Sequence, residues 1–352
     1  MSYRTILAIL LLLLVSPKET FAIHGSGAAL PATCTIGDTF TVLPISSVFN
    51  CTATNVWSPQ APIARNIACG RLTLTTGVPV TSADVTSSTN IFYTPYNCNQ
   101  ISLYDGSSAW TALSFSELTC ALGTLTSDKN YDVFIYNNAG TPACEFSAAW
   151  TNDSTRADAL TTQDGVNVKS GATTRRYVGT FRTISTTQTA DTGGGTTTQV
   201  GGKRFVWNND NRVETWLRVI EATDTWAYTT AAWRVANGAT APLNCVEFVV
   251  GQPGVLFSSK VLAFFVNTAS VVLDINAAVS YDSSTAPSGL RDSATNNLSG
   301  IGWSLSGSYM THPDIGYHYS CWLEFGDTDM AANTMRGDAT PGQSGLEATT
   351  QR

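Results

Sequence analysis

Short β-prone runs separated by turn residues dominate this sequence and constrain its fold most strongly. The run Tyr131–Tyr136 shows the two-residue alternation of a strand, and Gly, Asp and Asn separate it from its neighbours. No long amphipathic helix and no strand–helix–strand rhythm is apparent. Many short strands with regular turns are typical of sandwiches and jelly rolls. The sequence therefore predicts an all-β fold with two β-sandwich or jelly-roll-like domains and an N-terminal extension.

Two hairpins can be predicted in the first of these domains. Asp105-Gly106 lies between the β-prone runs 100–104 and 110–115, and the segment 137–140 lies between 131–136 and 144–146. Between the two hairpins, Ser114 and Glu117 have the spacing of a capping box. This spacing predicts one short helix over 114–118.

Composition shifts divide the chain into six segments. The segment 187–202 is rich in Thr and Gly and contains one large apolar residue, Val200, so it reads as a flexible linker. The predicted organisation is a signal peptide (1–22), a cysteine-rich extension (23–70), a first β domain (71–186), the linker (187–202), a second β domain (203–345) and a C-terminal tail (346–352).

The first residues have the features of a secretory signal peptide. Arg4 precedes the unbroken apolar run Ile6–Val15, and Thr20-Phe21-Ala22 places small residues at a cleavage site. The apolar run is too short to cross about 30 Å of hydrocarbon. The most apolar later segment, Val255–Val266, is interrupted by Lys260. We expect a secreted or cell-surface protein with no membrane span in the mature chain.

All eight cysteines follow the predicted signal peptide, which favours disulfides in an oxidising compartment. None forms a Cys-x-x-Cys pair, so zinc ribbons and redox motifs are not supported. Eight cysteines allow 105 pairings, and the sequence does not choose among them. The candidates are Cys34, Cys51, Cys69, Cys98, Cys120, Cys144, Cys245 and Cys321.

Three Asn-x-Ser/Thr tripeptides occur in the predicted mature chain. They begin at Asn50, Asn152 and Asn297. Where the host modifies this motif, the acceptor asparagines are expected on surface turns of a glycoprotein.

The charge balance excludes some partners. Only 13% of the residues are charged, against about 25% in an average domain, and the net charge is -7. No basic run exceeds Arg175-Arg176. A nucleic-acid partner and polybasic membrane recruitment are therefore not expected.

The sequence contains no convincing catalytic or metal-binding motif. Of the three histidines, His24 lies beside the predicted cleavage site, and His312 and His318 form only an H-x5-H-x2-C pattern with Cys321, which is unlike zinc motifs. No G-x-S-x-G motif is present, and the Gly193–Gly195 run has no phosphate-loop context. We expect no enzyme activity, no metal and no cofactor.

Four tryptophans cluster between positions 207 and 233: Trp207, Trp216, Trp226 and Trp233. Such rings either fill a sandwich core or stack on sugars and protein surfaces. In a second cluster, alternation along one strand places Arg176 and Arg182 on the same face. These arginines either cover a solvated face or form ion pairs between subunits.

Seven stretches of the chain carry long, specific motifs: 92–96, 103–106, 129–134, 147–186, 203–208, 281–289 and 316–319. In these stretches the chain resembles a family of tail-fibre-like and virion-associated structural proteins of tailed phages, which also occurs as hypothetical proteins in bacterial and environmental sequence. The resemblance covers about residues 70–345 and implies a structural or receptor-facing role. The signal peptide and the cysteines depart from the family pattern and indicate a secreted variant.

The leading prediction is a secreted, self-assembling structural subunit of an extracellular fibre or appendage. The run Thr39–Leu43 is β-prone, and it either covers the first domain or completes the sheet of a neighbouring subunit. Its candidate assembly residues are Phe40, Val42 and Leu43. The alternative prediction is a discrete, phage-tail-like adhesin that binds a surface glycan or receptor.

Overall fold

The computed structural model describes most of the chain and is almost entirely β. The described residues are 24–27, 29–36, 38–42, 47–59, 64–195, 199–268, 272–296, 298–326, 333–338 and 342–352. They divide into two compact units, Met1–Ala64 and Arg65–Arg352. The predicted all-β class with sandwich-like domains is confirmed. The signal peptide, Leu43 and Asn297 lie outside the described residues.

The described strands are short, and two 3-10 turns, Ala64–Asn66 and Ala236–Gly238, accompany them. The strands are β1 (His24–Gly27), β2 (Thr39–Val42), β3 (Ser47–Ala53), β4 (Val56–Pro59), β5 (Gly70–Thr73), β6 (Val85–Ser88), β7 (Asn90–Pro95), β8 (Gln100–Tyr104), β9 (Trp110–Ser114), β10 (Leu118–Ala121), β11 (Asn130–Asn138), β12 (Thr141–Phe146), β13 (Leu160–Gln163), β14 (Val166–Lys169), β15 (Ala172–Arg182), β16 (Thr189–Gly194), β17 (Gly201–Arg204), β18 (Val206–Asn208), β19 (Glu214–Ile220), β20 (Thr225–Trp226), β21 (Trp233–Val235), β22 (Cys245–Val250), β23 (Phe257–Asn267), β24 (Leu273–Tyr281), β25 (Ser288–Asn296), β26 (Gly302–Thr311), β27 (Gly316–Phe325), β28 (Asn333–Arg336) and β29 (Gly345–Gln351).

The first unit contains a sheet of four strands in the order β1-β2-β3-β4. Strand β2 is an inner strand, because it pairs with β1 in parallel and with β3 in antiparallel register. Phe40 on β2 lies 6.1 Å from the Trp57 ring, between centroids. The strand proposed for assembly is therefore hydrogen-bonded on both sides within its own unit. To complete a neighbouring subunit, it would have to leave β1 or β3.

The second unit contains a long mixed sheet and smaller sheets. Eleven strands of the long sheet follow one path, β19-β29-β23-β26-β25-β24-β27-β22-β17-β16-β6, and β20, β21 and β28 attach beside it. A six-stranded sheet contains β12-β11-β15-β14-β13 with β18, and a three-stranded sheet contains β10-β7-β5. Strands β8 and β9 form a ribbon.

The second unit contains two large hydrophobic cores and one smaller cluster around Cys245 and Cys321. One large core gathers residues from Leu72 to Val206, and the other extends from Phe134 to Ala348. Strand β15 serves both, because Val178 and Phe181 lie in the first core and Tyr177 lies in the second. The two large cores thus share a strand and lie within one compact unit.

The segments predicted as a linker and a C-terminal tail form strands in the structure. Residues 189–194 and 201–204 are the paired strands β16 and β17 of the long sheet. The predicted tail, 346–352, lies almost wholly in β29, which pairs with β19 on one side and β23 on the other. Leu346, Ala348 and Thr350 are buried while their neighbours are exposed. Small and polar composition therefore concealed two strand-forming segments.

Both predicted hairpins form. In the first, β8 and β9 flank Asp105-Gly106, and Asp105 Oδ1 accepts backbone N–H bonds from Ser107, Ser108 and Ala109 at 2.7, 2.9 and 3.1 Å. In the second, β11 and β12 pair across a turn in which Ala139 and Gly140 have positive φ.

The helix predicted at 114–118 does not form. Strand β9 ends at Ser114, and β10 begins at Leu118. The Glu117 carboxylate instead accepts hydrogen bonds from the Thr76 hydroxyl at 2.5 Å, Gly77 N at 2.6 Å and the Thr94 hydroxyl at 2.5 Å. These non-local bonds replace the local cap that the spacing suggested.

All eight cysteines are paired: Cys34–Cys51, Cys69–Cys98, Cys120–Cys144 and Cys245–Cys321. The prediction that this protein contains disulfides is therefore confirmed, and the pairing that the sequence left open is resolved. Within the residues that the structure describes, no helix combines the length and apolar character of a membrane span.

Candidate functional site

One outward surface of the long sheet combines an exposed tryptophan with charged and hydroxyl side chains. Strands β19, β29 and β23 lie side by side, and alternation buries Leu217, Leu346 and Val261 on the inner surface. The residues between them point outward. The Trp216 face, as we name it, consists of Trp216, Arg218, Ser258, Lys260, Leu262, Glu347 and Thr349.

The Trp216 ring is exposed yet fixed from below. Trp216 is 53% exposed to solvent. A Cβ added at Gly193 would lie 2.7 Å from the ring, so the indole rests directly on the glycine backbone of β16. Arg204 donates to the Trp216 carbonyl through Nη2 at 2.9 Å and Nε at 3.2 Å. One part of the Trp216 ring therefore contacts the backbone of β16, while the exposed part can stack on a ligand.

Hydroxyl groups lie beside the ring in the same row of the sheet. Trp216 pairs with Thr349, and Thr349 pairs with Ser258. Their hydroxyls lie 3.4 Å apart. The row therefore offers an apolar ring next to two groups that can both donate and accept hydrogen bonds.

The next row carries charges. Arg218 pairs with Glu347, and Glu347 pairs with Lys260. Among the described residues, none of the three has an ion-pair partner within 4.0 Å. The Arg218 guanidinium lies 5.7 Å from the Trp216 ring centroid, and its buried Nε has no hydrogen-bond partner in the described structure. The side chains of Lys260 and Glu347 are exposed, so their charged ends can contact a ligand.

Two adjoining hollows follow these rows, with volumes of about 310 and 510 Å³. They share Arg218, Lys260 and Glu347. Gly345 lies in one of them, beside Leu262. A Cβ there would lie 2.4 Å from the Val219 carbonyl oxygen, so the absence of a side chain lets β19 approach β29 closely.

A second ring on this sheet is seated in the same manner. A Cβ at Gly342 would lie 3.1 Å from the Phe264 ring. Phe264 lines a further hollow with Val266, Ser304 and Arg336. Ser258 lies level with Trp216 through Thr349, and Phe264 is six positions further along β23. At about 3.4 Å per strand residue, the two rings are roughly 20 Å apart along the strands.

A buried ionic cluster supports the Trp216 face from below. Asp191 is fully buried, and its Oδ1 accepts from Arg204 Nη1 at 2.9 Å. Its other oxygen pairs with Arg352, and Arg71 donates to the Arg352 carbonyl at 3.2 Å. Burial lowers the pKa of Arg204 and of Arg352 to about 10 in each case. Both remain charged at neutral pH and join β16, β17 and β19.

The histidines do not form a hydrolytic site. His318 Nδ1 lies 2.8 Å from Asp282 Oδ2, and its Nε2 lies 3.0 Å from the Asp314 carbonyl. Both ring nitrogens are engaged, and the side chain is buried between Phe248 and Tyr281. His312 Nδ1 lies 2.9 Å from the Val255 carbonyl. His318 therefore has no free ring nitrogen to take a proton from a nucleophile.

The H-x5-H-x2-C pattern is also not assembled into a metal centre. Cys321 is bonded to Cys245, so it offers no thiolate. Over the described part of the chain, no group of three or more His, Cys, Asp or Glu side chains could hold a metal ion.

The four clustered tryptophans separate into two roles. Trp207 is fully buried. Trp226 donates to Glu324 at 2.7 Å, and Trp233 lies 5.3 Å from the Phe325 ring. Trp216 alone among these four is mostly exposed. The core interpretation therefore fits Trp207, whereas the interpretation of stacking on sugars or protein surfaces remains a prediction for Trp216.

Arg176 and Arg182 lie on opposite sides of β15, which differs from the alternation prediction. Arg176 donates to the Ser102 carbonyl at 3.0 Å, whereas the Arg182 guanidinium lies 3.8 Å from the Tyr317 ring centroid. A bulge shifts the pairing of β15 with β11 between Val133 and Phe134 and so reverses the alternation. Both arginines are already engaged within the chain.

No sequence pattern marks Arg218 or Glu347. Lys260 is notable in the sequence only as a break in an apolar run, and Gly193 only as part of a glycine run. Strand β23 contains Ser258 and Lys260 between buried Phe257, Ser259 and Val261. This alternation indicates an outward row. Which strands adjoin it depends on pairings between residues far apart in the chain.

Comparison with known proteins leaves the family open. No protein-family model and no curated protein matches the chain. Among solved structures, one match is the exo-beta-1,3-galactanase from Phanerochaete chrysosporium with beta-1,3-galactotriose. It is 11% identical and has a TM-score of 0.13, over 87% of this chain and 74% of that chain. A similarity at this level carries no argument about fold or function.

Proposed function

We propose that this protein is a secreted, non-catalytic glycan-binding protein and that the Trp216 face is its binding site. The observation that carries the proposal is the exposed Trp216 ring seated on Gly193, next to two hydroxyl groups and to charged groups without an ion-pair partner in the described structure. A sugar ring presents C–H groups on its faces and hydroxyls at its rim. An aromatic surface flanked by donors and acceptors matches both parts of such a ligand.

Three further features support this role. The site is an open sheet surface, so it can accept part of a long or surface-attached glycan. The four disulfides suit an extracellular location. Both ring nitrogens of His318 are engaged within the chain, so this histidine offers no free base, which favours binding over hydrolysis.

A glycan array with the oxidised protein tests the proposal, followed by titration calorimetry with the best ligand. Trp216→Ala is expected to weaken binding at least tenfold, about 1.4 kcal/mol, and Trp216→Phe is expected to retain part of the affinity. Tyr96→Ala is the matched control, because Tyr96 is also exposed (42%) but lies outside the Trp216 face, in the loop that follows β7. An array without ligands, or equal affinity of wild type and Trp216→Ala, would contradict the proposal.

A second candidate function is the structural subunit of an extracellular fibre, in line with the resemblance to tail-fibre-like proteins. Leu290 and Met310 favour it, because they are 74% and 65% exposed. Leu290 pairs with Ser308, so it shares an outward surface with Met310 two residues further along β26. An apolar pair of this kind suits contact with a second copy.

Negative-stain electron microscopy of the oxidised mature chain tests the fibre. Regular filaments that disappear in Leu290→Asp but persist in Val80→Asp would support it, since Val80 is exposed elsewhere on the unit. Discrete particles at high protein concentration would exclude spontaneous assembly. The candidate strand Thr39–Val42 is the next target only if filaments form in Leu290→Asp.

A further inference from the structure

The three Asn-x-Ser/Thr motifs have different surroundings. Asn297 lies outside the described residues. Asn50 is on β3 and pairs with Thr39 on one side and Ser58 on the other. Its Oδ1 is buried and has no hydrogen-bond partner in the described structure. Asn152 is exposed in the loop between β12 and β13. The structure thus separates a strand asparagine from a loop asparagine.

The Asn152 side chain is oriented by its own motif. Asn152 Oδ1 accepts from Ser154 N at 2.9 Å and from the Ser154 hydroxyl at 3.2 Å. In the described structure, its amide nitrogen Nδ2 donates no hydrogen bond. The carbonyl oxygen is therefore held by the motif, while the nitrogen that a glycan would be joined to remains accessible.

The middle residue of the motif anchors the loop. Asp153 Oδ1 pairs with Arg182 Nη1 at 2.7 Å. The Asp153 carbonyl accepts from Asn130 Nδ2 and from Tyr317 N, each at 2.9 Å. Gly316 allows this close approach, since a Cβ there would lie 2.4 Å from the same carbonyl. The loop is thus fixed through Asp153 without contacts to Asn152 Nδ2.

We propose that Asn152 is an N-glycosylation site. The donor is a polyprenyl-pyrophosphate-linked oligosaccharide of the secretory pathway. Asn152 Nδ2 forms a bond to C1 of the first sugar, the bond from C1 to the pyrophosphate oxygen breaks, and the amide loses one proton. The polyprenyl pyrophosphate leaves with the electron pair. This modification is independent of the Trp216 face and adds a covalent glycan to a protein proposed to bind one.

The test is secretion of the full chain from a eukaryotic cell line that N-glycosylates, with peptide mapping by mass spectrometry before and after enzymatic deglycosylation. The Asn152 peptide is expected to carry glycan at higher occupancy than the Asn50 peptide. Ser154→Ala and Asn152→Gln should each abolish it, whereas Ser154→Thr should retain it. These positions are exposed, so the variants are expected to be secreted.

Two outcomes would overturn the proposal. One is an unmodified Asn152 peptide in wild type while a co-secreted reporter glycoprotein is modified. The other is modification at Asn152 that persists in Ser154→Ala. Occupancy at Asn50 equal to that at Asn152 would contradict the distinction between strand and loop asparagines.

Discussion

At the scale of single residues, glycines and one aspartate determine how the surface is arranged. Gly193 supports the exposed ring of Trp216, and Gly342 supports Phe264 in the same way. Asp105 closes a hairpin with one carboxylate oxygen. A methyl group added at either glycine would displace the ring beside it, and loss of the Asp105 carboxylate would remove the hydrogen bonds of the turn.

Gly193→Ala is expected to weaken glycan binding several-fold while the fold is kept. The added Cβ would lie 2.7 Å from the Trp216 ring and would displace it from its seat, although Trp216 itself is unchanged. Titration calorimetry with the array ligand measures the loss, and far-UV circular dichroism checks the fold. Gly302→Ala on β26 is the control for glycine substitution, because an added Cβ there would meet its nearest atom, Val266 Cγ2, only at 3.5 Å. Unchanged affinity in Gly193→Ala would show that the seat is unimportant.

Asp105 is expected to make stability depend on acid pH. Backbone N–H bonds from Ala109, Ser107 and Ser108 lower the pKa of Asp105 to about 2. A carboxyl with a lower pKa in the folded state stabilises the fold above its unfolded pKa of about 4. That contribution is lost as the pH falls from about 4 towards 2. Thermal melts should show a smaller acid-induced loss in Asp105→Asn than in wild type, and parallel losses would contradict this assignment.

At the scale of elements, the ionic cluster under the Trp216 face joins strands that come from different parts of the sequence. Asp191 on β16 pairs with Arg204 on β17, and Arg204 in turn donates to the Trp216 carbonyl on β19. Arg352, which follows β29, pairs with the same carboxylate. The cluster therefore links the edge of the sheet to the site.

Asp191→Ala is expected to lower the free energy of unfolding by about 3–5 kcal/mol, because it leaves buried guanidinium groups without their counter-charge. Denaturant unfolding measures the change. Asp158→Ala is the control, since Asp158 is partly exposed. It accepts from Ala148 N at 2.9 Å and pairs with Lys169, and exposed ion pairs contribute about 0–1 kcal/mol. Equal effects of the two variants would contradict the cluster's role.

The sequence predicts local elements better than it predicts their partners. The hairpin at Asp105-Gly106 forms because turn and strands are neighbours in the chain. The small and polar composition of 346–352 predicts a tail, whereas the segment forms β29, in which Leu346, Ala348 and Thr350 alternate with exposed residues. Its burial depends on β19 and β23, which are distant in sequence. The Trp216 face arises from the same pairings, so its charged row was not predicted.

At the scale of the whole molecule, the second unit is one compact unit with two large hydrophobic cores and a smaller cluster. Strand β15 contributes to both cores, and the long sheet contains strands from β6 to β29. The disulfide Cys245–Cys321 joins directly paired residues of β22 and β27 in the middle of this sheet. It closes the longest of the four disulfide loops, with a sequence separation of 76 residues.

Removing this disulfide by Cys245→Ala with Cys321→Ala is expected to lower stability by about 4 kcal/mol, since a longer loop constrains the unfolded chain more strongly. The pair Cys69→Ala with Cys98→Ala, with a separation of 29, should cost less. Chemical denaturation of both variants under non-reducing conditions gives the comparison. A larger loss in the second variant would contradict the loop-length argument.

The pairing of β19 with β29 also determines at which stage of folding the Trp216 face is complete. Contacts between residues distant in sequence form slowly, because a long loop must close before any of them contributes. Trp216 meets Thr349 only when β29 docks. A partly folded chain would contain the tryptophan but lack the surface around it. Ligand binding would therefore report completed folding, and a glycan-affinity column would retain finished molecules and pass folding intermediates.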